Sequence, residues 1–71
     1  MGEADIRELL QREDAEYRNL AAQHRDFEDR LGELSRRSHL NSQEQIERTN
    51  LKKYKLQVKD RMQELIRQRR S

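Results

Sequence analysis

The side chains best suited to bind a charged group are four lysines in the second half of the chain: Lys52, Lys53, Lys55 and Lys59. Ammonium groups attract phosphates and carboxylates, so these residues could contact an anionic ligand or an acidic partner. At helical spacing, however, they spread round more than one face, and acids elsewhere in the chain can neutralise part of their field. We therefore favour a solvated, charge-matched helix surface, with the binding site as the alternative.

Lys55 differs from the other three because it lies among the apolar positions of its predicted helix. A cation there is costly unless its stem is buried and its head reaches solvent or a carboxylate. We interpret Lys55 as a structural residue that pairs with an acid of the preceding helix and fixes the alignment of the two. The candidate acids are Asp26, Glu28 and Asp29.

The two histidines, His24 and His39, are the next candidates, since the chain has no cysteine. Their separation along a helix is more than about 20 Å at 1.5 Å per residue, so they cannot share one ion. No third ligand stands at a plausible spacing. We predict no metal and no cofactor, and interpret His24 as a half-buried core histidine, with a pH switch as the alternative.

Catalysis needs convergent groups in a pocket, and two paired helices do not enclose one. Glu13 is an acid at a seam position, but we expect it to pair with Arg67 or Arg69 across the molecule. We therefore predict that the chain is not an enzyme and has no small-molecule substrate.

The elements that position these residues follow from composition. The chain has 71 residues, of which 31% are hydrophobic and 42% charged, with no proline and two glycines. This favours one small all-α domain over 1–71 with narrow apolar stripes. No apolar run could span a membrane or form a signal-peptide core, so we expect a cytoplasmic protein without membrane contact.

Charge divides the chain in two. Residues 1–35 hold five Lys and Arg against ten Asp and Glu, whereas residues 36–71 hold eleven against four. An acidic helix followed by a basic helix predicts a chain that folds back on itself. We expect a first helix over about 5–37, with Asp5 and Glu8 as its capping box, a turn over about 38–41, and a second helix over about 42–68.

Both helices carry apolar residues at alternating steps of three and four, which is typical of coiled coils. The fold prediction is therefore an antiparallel two-helix hairpin with coiled-coil packing, in which facing residue numbers add to roughly 80. Asn41 with Glu44, or Ser42 with Gln45, can cap the second helix. The predicted seam between the helices, or with a partner, consists of Leu10, Tyr17, Leu20, His24, Phe27, Leu31, Leu51, Val58, Met62 and Leu65.

Residues 50–66 resemble the second-helix signature of the YdcH-like family, small bacterial proteins with a domain of unknown function. The matching positions are Leu51, Lys52, Lys53, Lys55, Leu56, Val58, Lys59, Asp60 and Met62. A weaker first-helix similarity involves Tyr17, Leu20, His24, Phe27 and Glu28. The resemblance covers about residues 6–66 and implies a helical hairpin without an assigned activity.

One departure from that family concerns the start of the first helix. Family members commonly carry a proline near Ala15, after a capping residue. Here Asp14 keeps the cap-like side chain while the proline is missing. The family implies a kink near Asp14, whereas this sequence allows an unbroken helix, and the two alternatives stay open.

A thin two-helix core without disulfides usually needs association for stability. We therefore predict a non-enzymatic interaction module that self-associates or clasps a partner helix. The alternative is an accessory nucleic-acid or ribonucleoprotein binder that uses the basic second helix. Phosphate binding should weaken steeply with salt, whereas apolar docking should not.

Overall fold

The computed structural model describes residues 2–70, which form three α-helices and no strand. The helices are α1 (Glu3–Glu13), α2 (Ala15–Ser35) and α3 (Ser42–Arg70). The molecule is an elongated body of 45 × 19 × 16 Å. The all-α prediction is confirmed. The domain predicted over 1–71 also includes Met1 and Ser71, which lie outside the described residues.

The predicted two-helix hairpin is wrong in one respect, because the first helical segment is two helices with a break at Asp14. The backbone of Asp14 is extended, with φ −111° and ψ 110°. Its side chain accepts a hydrogen bond from the Tyr17 backbone N–H at 3.0 Å, as the N-cap of α2. An aspartate thus starts a new helix without the proline that the resemblance implied.

The end of α1 is stabilised from the other side of the break. The Arg18 guanidinium donates to the Arg12 carbonyl oxygen at 2.8 Å and lies 3.4 Å from that of Gln11. These carbonyls belong to the last turn of α1, where backbone acceptors have no intrahelical partner. Asp14 and Arg18 therefore satisfy the polar groups that the break leaves free.

The start of α1 also differs from the prediction, since the helix begins at Glu3 with Gly2 as its N-cap. The Asp5 carboxylate accepts from the Gly2 backbone N–H at 3.3 Å. Asp5 is therefore the third helical residue, and the predicted box of Asp5 with Glu8 is wrong. An acid in the first turn is favourable because it faces the positive end of the helix dipole.

The turn between α2 and α3 is closed by a reciprocal cap. Glu44 donates its backbone N–H to the Asn41 amide oxygen at 2.8 Å, and Asn41 donates its own to the Glu44 carboxylate at 3.1 Å. This is the capping box predicted for Asn41 and Glu44. The Arg37 guanidinium also pairs with Glu44, which fastens the end of α2 to the start of α3.

The break at Asp14 lets α1 pack against both α2 and α3. Ile6 and Leu10 of α1 are each 2% exposed and pack with Tyr17, Leu65 and Ile66, while Leu20 and Met62 border this cluster. The short helix α1 thus covers apolar surface at one end of the α2–α3 hairpin. No helix within residues 2–70 is long and apolar enough to cross a bilayer.

Candidate interaction surfaces

One edge of the α2–α3 hairpin is closed by two bidentate ion pairs. Arg30 donates to both Glu47 carboxylate oxygens at 2.9 Å. Arg61 donates to those of Glu16 at 2.7 and 3.1 Å. The hydrogen bonds from Arg30 lower the pKa of Glu47 below its ordinary value. Planar forks of this kind fix alignment as well as neutralising charge.

Contacts along the hairpin agree with the predicted alignment of facing residues. The Phe27 and Tyr54 rings lie 6.2 Å apart between centroids. Lys55 Nζ lies 3.7 Å from a Glu28 carboxylate oxygen, which is the predicted pairing of that lysine with an acid of the preceding helix. Arg69 pairs with Glu13, also as predicted. These contacts extend along most of α3, so the helices run antiparallel.

The other three predicted lysines are in a different situation. Lys52, Lys53 and Lys59 are exposed, and none of them makes an ion pair with another residue of the described chain. Lys52 and Lys59 are seven residues apart and share one side of α3, on which Arg48 also lies. That edge of the hairpin is therefore left basic, in contrast to the edge closed by Arg30 and Arg61.

The residues of the predicted seam differ in how deeply they are buried. Four of its residues are buried inside the chain: Leu10, Tyr17, Val58 and Leu65. Six are half-buried: Leu20, His24, Phe27, Leu31, Leu51 and Met62. The buried members lie mostly where α1 covers the hairpin, so the remaining apolar surface lies towards the α2–α3 turn.

Large apolar side chains also point away from the hairpin. Ile46 and Leu56 of α3 are 62% and 59% exposed, whereas Tyr54, whose ring lies against Phe27, is 47% exposed. Ile46, Thr49, Lys53 and Leu56 follow one another at steps of three, four and three residues. This outward stripe, on the opposite side of α3 from Leu51 and Val58, repeats the coiled-coil spacing. Neither Ile46 nor Leu56 was among the residues of the predicted seam.

A cleft of about 250 Å³ lies where the three helices meet. Arg7 comes from α1, Tyr17 and His24 from α2, and Lys59 and Met62 from α3, with Gln63 and Ile66 completing its lining. Arg7 was not among the predicted site residues, because nothing in the pattern of α1 indicates that the break at Asp14 brings it into one cleft with His24 and Lys59. A larger hollow of about 750 Å³ is lined by α3 alone and is therefore open helix surface.

Metal-binding residues do not cluster in the part of the chain that the structure describes. Residues 2–70 contain no group of three or more histidine or acidic side chains placed to hold an ion. His24 lies instead 3.6 Å from Glu28, one helical turn away on α2.

A family model described as "Protein of unknown function (DUF465)" matches residues 18–66. The match covers more than half of the chain, from Arg18 in α2 to Ile66 in α3, and leaves α1 outside. No curated protein and no solved structure matches the chain. The match confirms the resemblance to YdcH-like proteins found in the sequence, and the chain belongs to the DUF465 family of proteins of unknown function.

Proposed function

We propose that this chain is a non-enzymatic helical interaction module that self-associates through the outward stripe of α3, Ile46, Thr49, Lys53 and Leu56. The observation that carries the proposal is the exposure of Ile46 and Leu56 at 62% and 59%. Water-exposed apolar side chains at coiled-coil spacing are surface that a second helix can bury.

The stripe is complementary to itself when two copies of α3 run antiparallel. Placing Ile46 opposite Leu56 of a second copy sets Thr49 opposite Lys53, so that no two like charges face each other. Asp60, one turn beyond Leu56, then lies beside the N-terminal turn of the other α3 at Ser42, where a carboxylate is favourable. The arrangement has two-fold symmetry and closes on itself as a dimer.

The size of the stripe sets the expected affinity. Four apolar side chains, two from each copy, contribute roughly 6 kcal/mol when they are buried from their present exposure. The loss of translational and rotational freedom opposes association by about 4 kcal/mol or more. The net of about 2 kcal/mol corresponds to a Kd of about 30 mM for the apolar side chains alone. We expect polar contacts, such as that of Asp60 with the N-terminal turn of the other α3, to bring the dimer into the millimolar range.

Sedimentation equilibrium over a concentration series tests this dimer. The weight-average mass should rise from that of the monomer, and the double variant Ile46→Ser with Leu56→Gln should remain monomeric at every concentration. The matched control is Ala22→Gln, a substitution on the exposed side of α2 that should leave self-association unchanged. A wild-type chain that stays monomeric at millimolar concentration contradicts self-association and favours a partner helix as the occupant.

The non-enzymatic part of the proposal is supported by the openness of the molecule. Hollows of about 750 and 450 Å³ are open surface, the first along α3 alone and the second over the turn between α2 and α3. Enzyme sites bury most of their substrate among convergent groups.

Nucleic-acid binding is the second candidate, and the basic edge of the hairpin favours it. Arg48, Lys52 and Lys59 share that edge and make no ion pair with other described residues. Fluorescence anisotropy with single-stranded and duplex oligonucleotides, measured between about 50 and 200 mM salt, tests it. Steep loss of binding with salt, and further loss in the double variant Lys52→Gln with Lys59→Gln, supports this candidate. Absence of binding at low salt contradicts it.

A further inference from the structure

We infer that the cleft between the three helices is a binding site for a small organic anion, a carboxylate or phosphate monoester on a short apolar body. The inference is independent of self-association, because Ile46 and Leu56 do not line the cleft. It rests on hydrogen-bond donors from three helices that line one cleft together with apolar side chains.

The donors come from separate elements. Arg7 reaches the cleft from α1, His24 from α2 and Lys59 from α3. Arg7 Nη2 binds Glu3 at 2.8 Å, which leaves the other N–H groups of its guanidinium available. Lys59 has no carboxylate partner among residues 2–70. A guanidinium and an ammonium group that line the same cleft form a typical site for carboxylate or phosphate oxygens.

The acids near the cleft are engaged elsewhere. Glu3 binds Arg7 along α1. Glu28 Oε1 lies 3.6 Å from His24 Nδ1 and 3.7 Å from Lys55 Nζ. Neither acid lines the cleft. The lining therefore has two fixed positive charges and no negative one.

Tyr17 and the apolar residues define the other half of the ligand. Tyr17 is only 5% exposed, and its hydroxyl, which has no hydrogen-bond partner within the described chain, is open to solvent because no buried side-chain oxygen among these residues lacks a partner. Its ring, Met62 and Ile66 form the apolar part of the lining. A bare inorganic ion would leave this surface uncovered, whereas an apolar body attached to the anion would bury it.

The volume limits the ligand to a fragment. Drug-sized ligands occupy pockets of roughly 300–1,000 Å³, and this cleft has about 250 Å³. One anionic group with a ring or a short aliphatic chain fits that space. We expect weak binding, with a Kd on the order of 1 mM for a ligand of this size.

The probe that tests the inference is phenyl phosphate, added to the ¹⁵N-labelled full-length chain while amide chemical shifts are followed. Inorganic phosphate and phenol are the matched probes for the charge alone and the apolar body alone. We expect saturable shifts at residues around the cleft, among them Arg7, Tyr17 and Lys59. Inorganic phosphate and phenol should each bind at least about fivefold more weakly, because each lacks half of the contacts.

Variants separate the cleft from the general field of the basic edge. Lys59→Gln and Arg7→Gln should each raise the Kd for phenyl phosphate at least about fivefold. Lys52→Gln is the matched control, since Lys52 is exposed on the same side of α3 but lies about 10 Å along the helix from Lys59. Both altered cleft side chains are exposed, so the amide spectrum should keep its native dispersion.

Four results overturn the inference. The first two are the absence of shifts and shifts that rise linearly without saturation. The third is inorganic phosphate that binds as tightly as phenyl phosphate. The fourth is a Lys52→Gln variant that weakens binding as much as Lys59→Gln, which assigns the effect to diffuse charge.

Discussion

The two ends of this molecule are stabilised differently. At the end where α1 covers the hairpin, three helices enclose Ile6, Leu10 and Ile66, each 2% exposed. Towards the α2–α3 turn there are only two helices. There Leu34 is buried but Leu31 and Leu51 are half-buried. Apolar burial stabilises the first end. At the second end, the ion pair of Arg30 with Glu47 and the capping box of Asn41 with Glu44 fix the alignment of the two helices.

The difference shows what a third helix adds to a hairpin. Two helices bury only the seam between them, so a side chain outside that seam remains exposed to solvent. Ile66 lies at the flank of the seam and is covered by α1, whereas Ile46 lies on the outward side of α3, where no other helix of the described chain covers it. The family match covers the α2–α3 hairpin and stops short of α1. The covered end, by which we mean the end of the hairpin that α1 covers, is therefore built partly from residues outside the matched region.

The largest effect should come from comparing two isoleucines of the same helix. Ile66→Ala removes a side chain packed against α1 and should destabilise the fold by about 3 kcal/mol, since buried Ile→Ala changes typically cost 2–5 kcal/mol. Ile46→Ala, at 62% exposure, should cost less than about 0.5 kcal/mol. Urea unfolding followed by circular dichroism measures both. Equal losses would mean that the covered end does not dominate stability.

The break that creates the covered end should be the next most sensitive point. Asp14→Ala removes the cap of α2 and should cost about 1 kcal/mol. Asp14→Ser, which can still accept from the Tyr17 N–H, should retain most of that stability. Thermal unfolding of the two variants measures the difference. If Ser is as destabilising as Ala, the hydrogen bond is not the cause.

The hairpin could be predicted from the sequence because several independent signals agreed. Apolar spacing, the acidic-to-basic change of charge and the Asn41–Glu44 box all indicated two helices that run antiparallel and meet near residue 40. The pairings of Lys55 with Glu28 and of Glu13 with Arg69 followed from that alignment. Long-range contacts were predictable here because one short turn fixes the whole register.

The break at Asp14 could not be read from the same pattern. The seam steps from Leu10 through Glu13 to Tyr17 without interruption, so the periodicity is that of a continuous helix. A capping aspartate was visible, but aspartate also occurs inside helices at a small cost. What decides the break is tertiary: α1 gains burial of Ile6 and Leu10 against α3. The cleft lined by Arg7 depends on that packing and was missed with it.

Ala15 allows a test of how the family's proline relates to this break. Ala15 is the first residue of α2, a position where proline is favoured, and its backbone N–H has no hydrogen-bond partner among residues 2–70. Asp14 is extended, as a residue before proline prefers to be. Ala15→Pro should therefore stabilise the chain by about 0.5 kcal/mol through the unfolded state. Ala22→Pro, in the interior of α2, is the control and should destabilise strongly. A loss of stability in Ala15→Pro would show that the backbone around Asp14 does not suit a proline.

The smallest effect concerns the ion pairs that hold the hairpin towards the turn. The Arg30 hydrogen bonds place the pKa of Glu47 below the ordinary 4.5, so the folded state binds this proton less readily than the unfolded chain. The resulting stabilisation is present above that ordinary pKa and is lost as pH falls through the lower, folded value. Carboxyl chemical shifts in a pH titration should show Glu47 titrating below its unfolded range, and Arg30→Gln should raise the pKa of Glu47 again.

An exposed pair contributes little to stability, so Glu47→Gln should change the unfolding midpoint at neutral pH only slightly. A large change would mean that ion pairing contributes more to the stability of the fold than burial under α1 does. The end near the turn would then be the more strongly stabilised of the two.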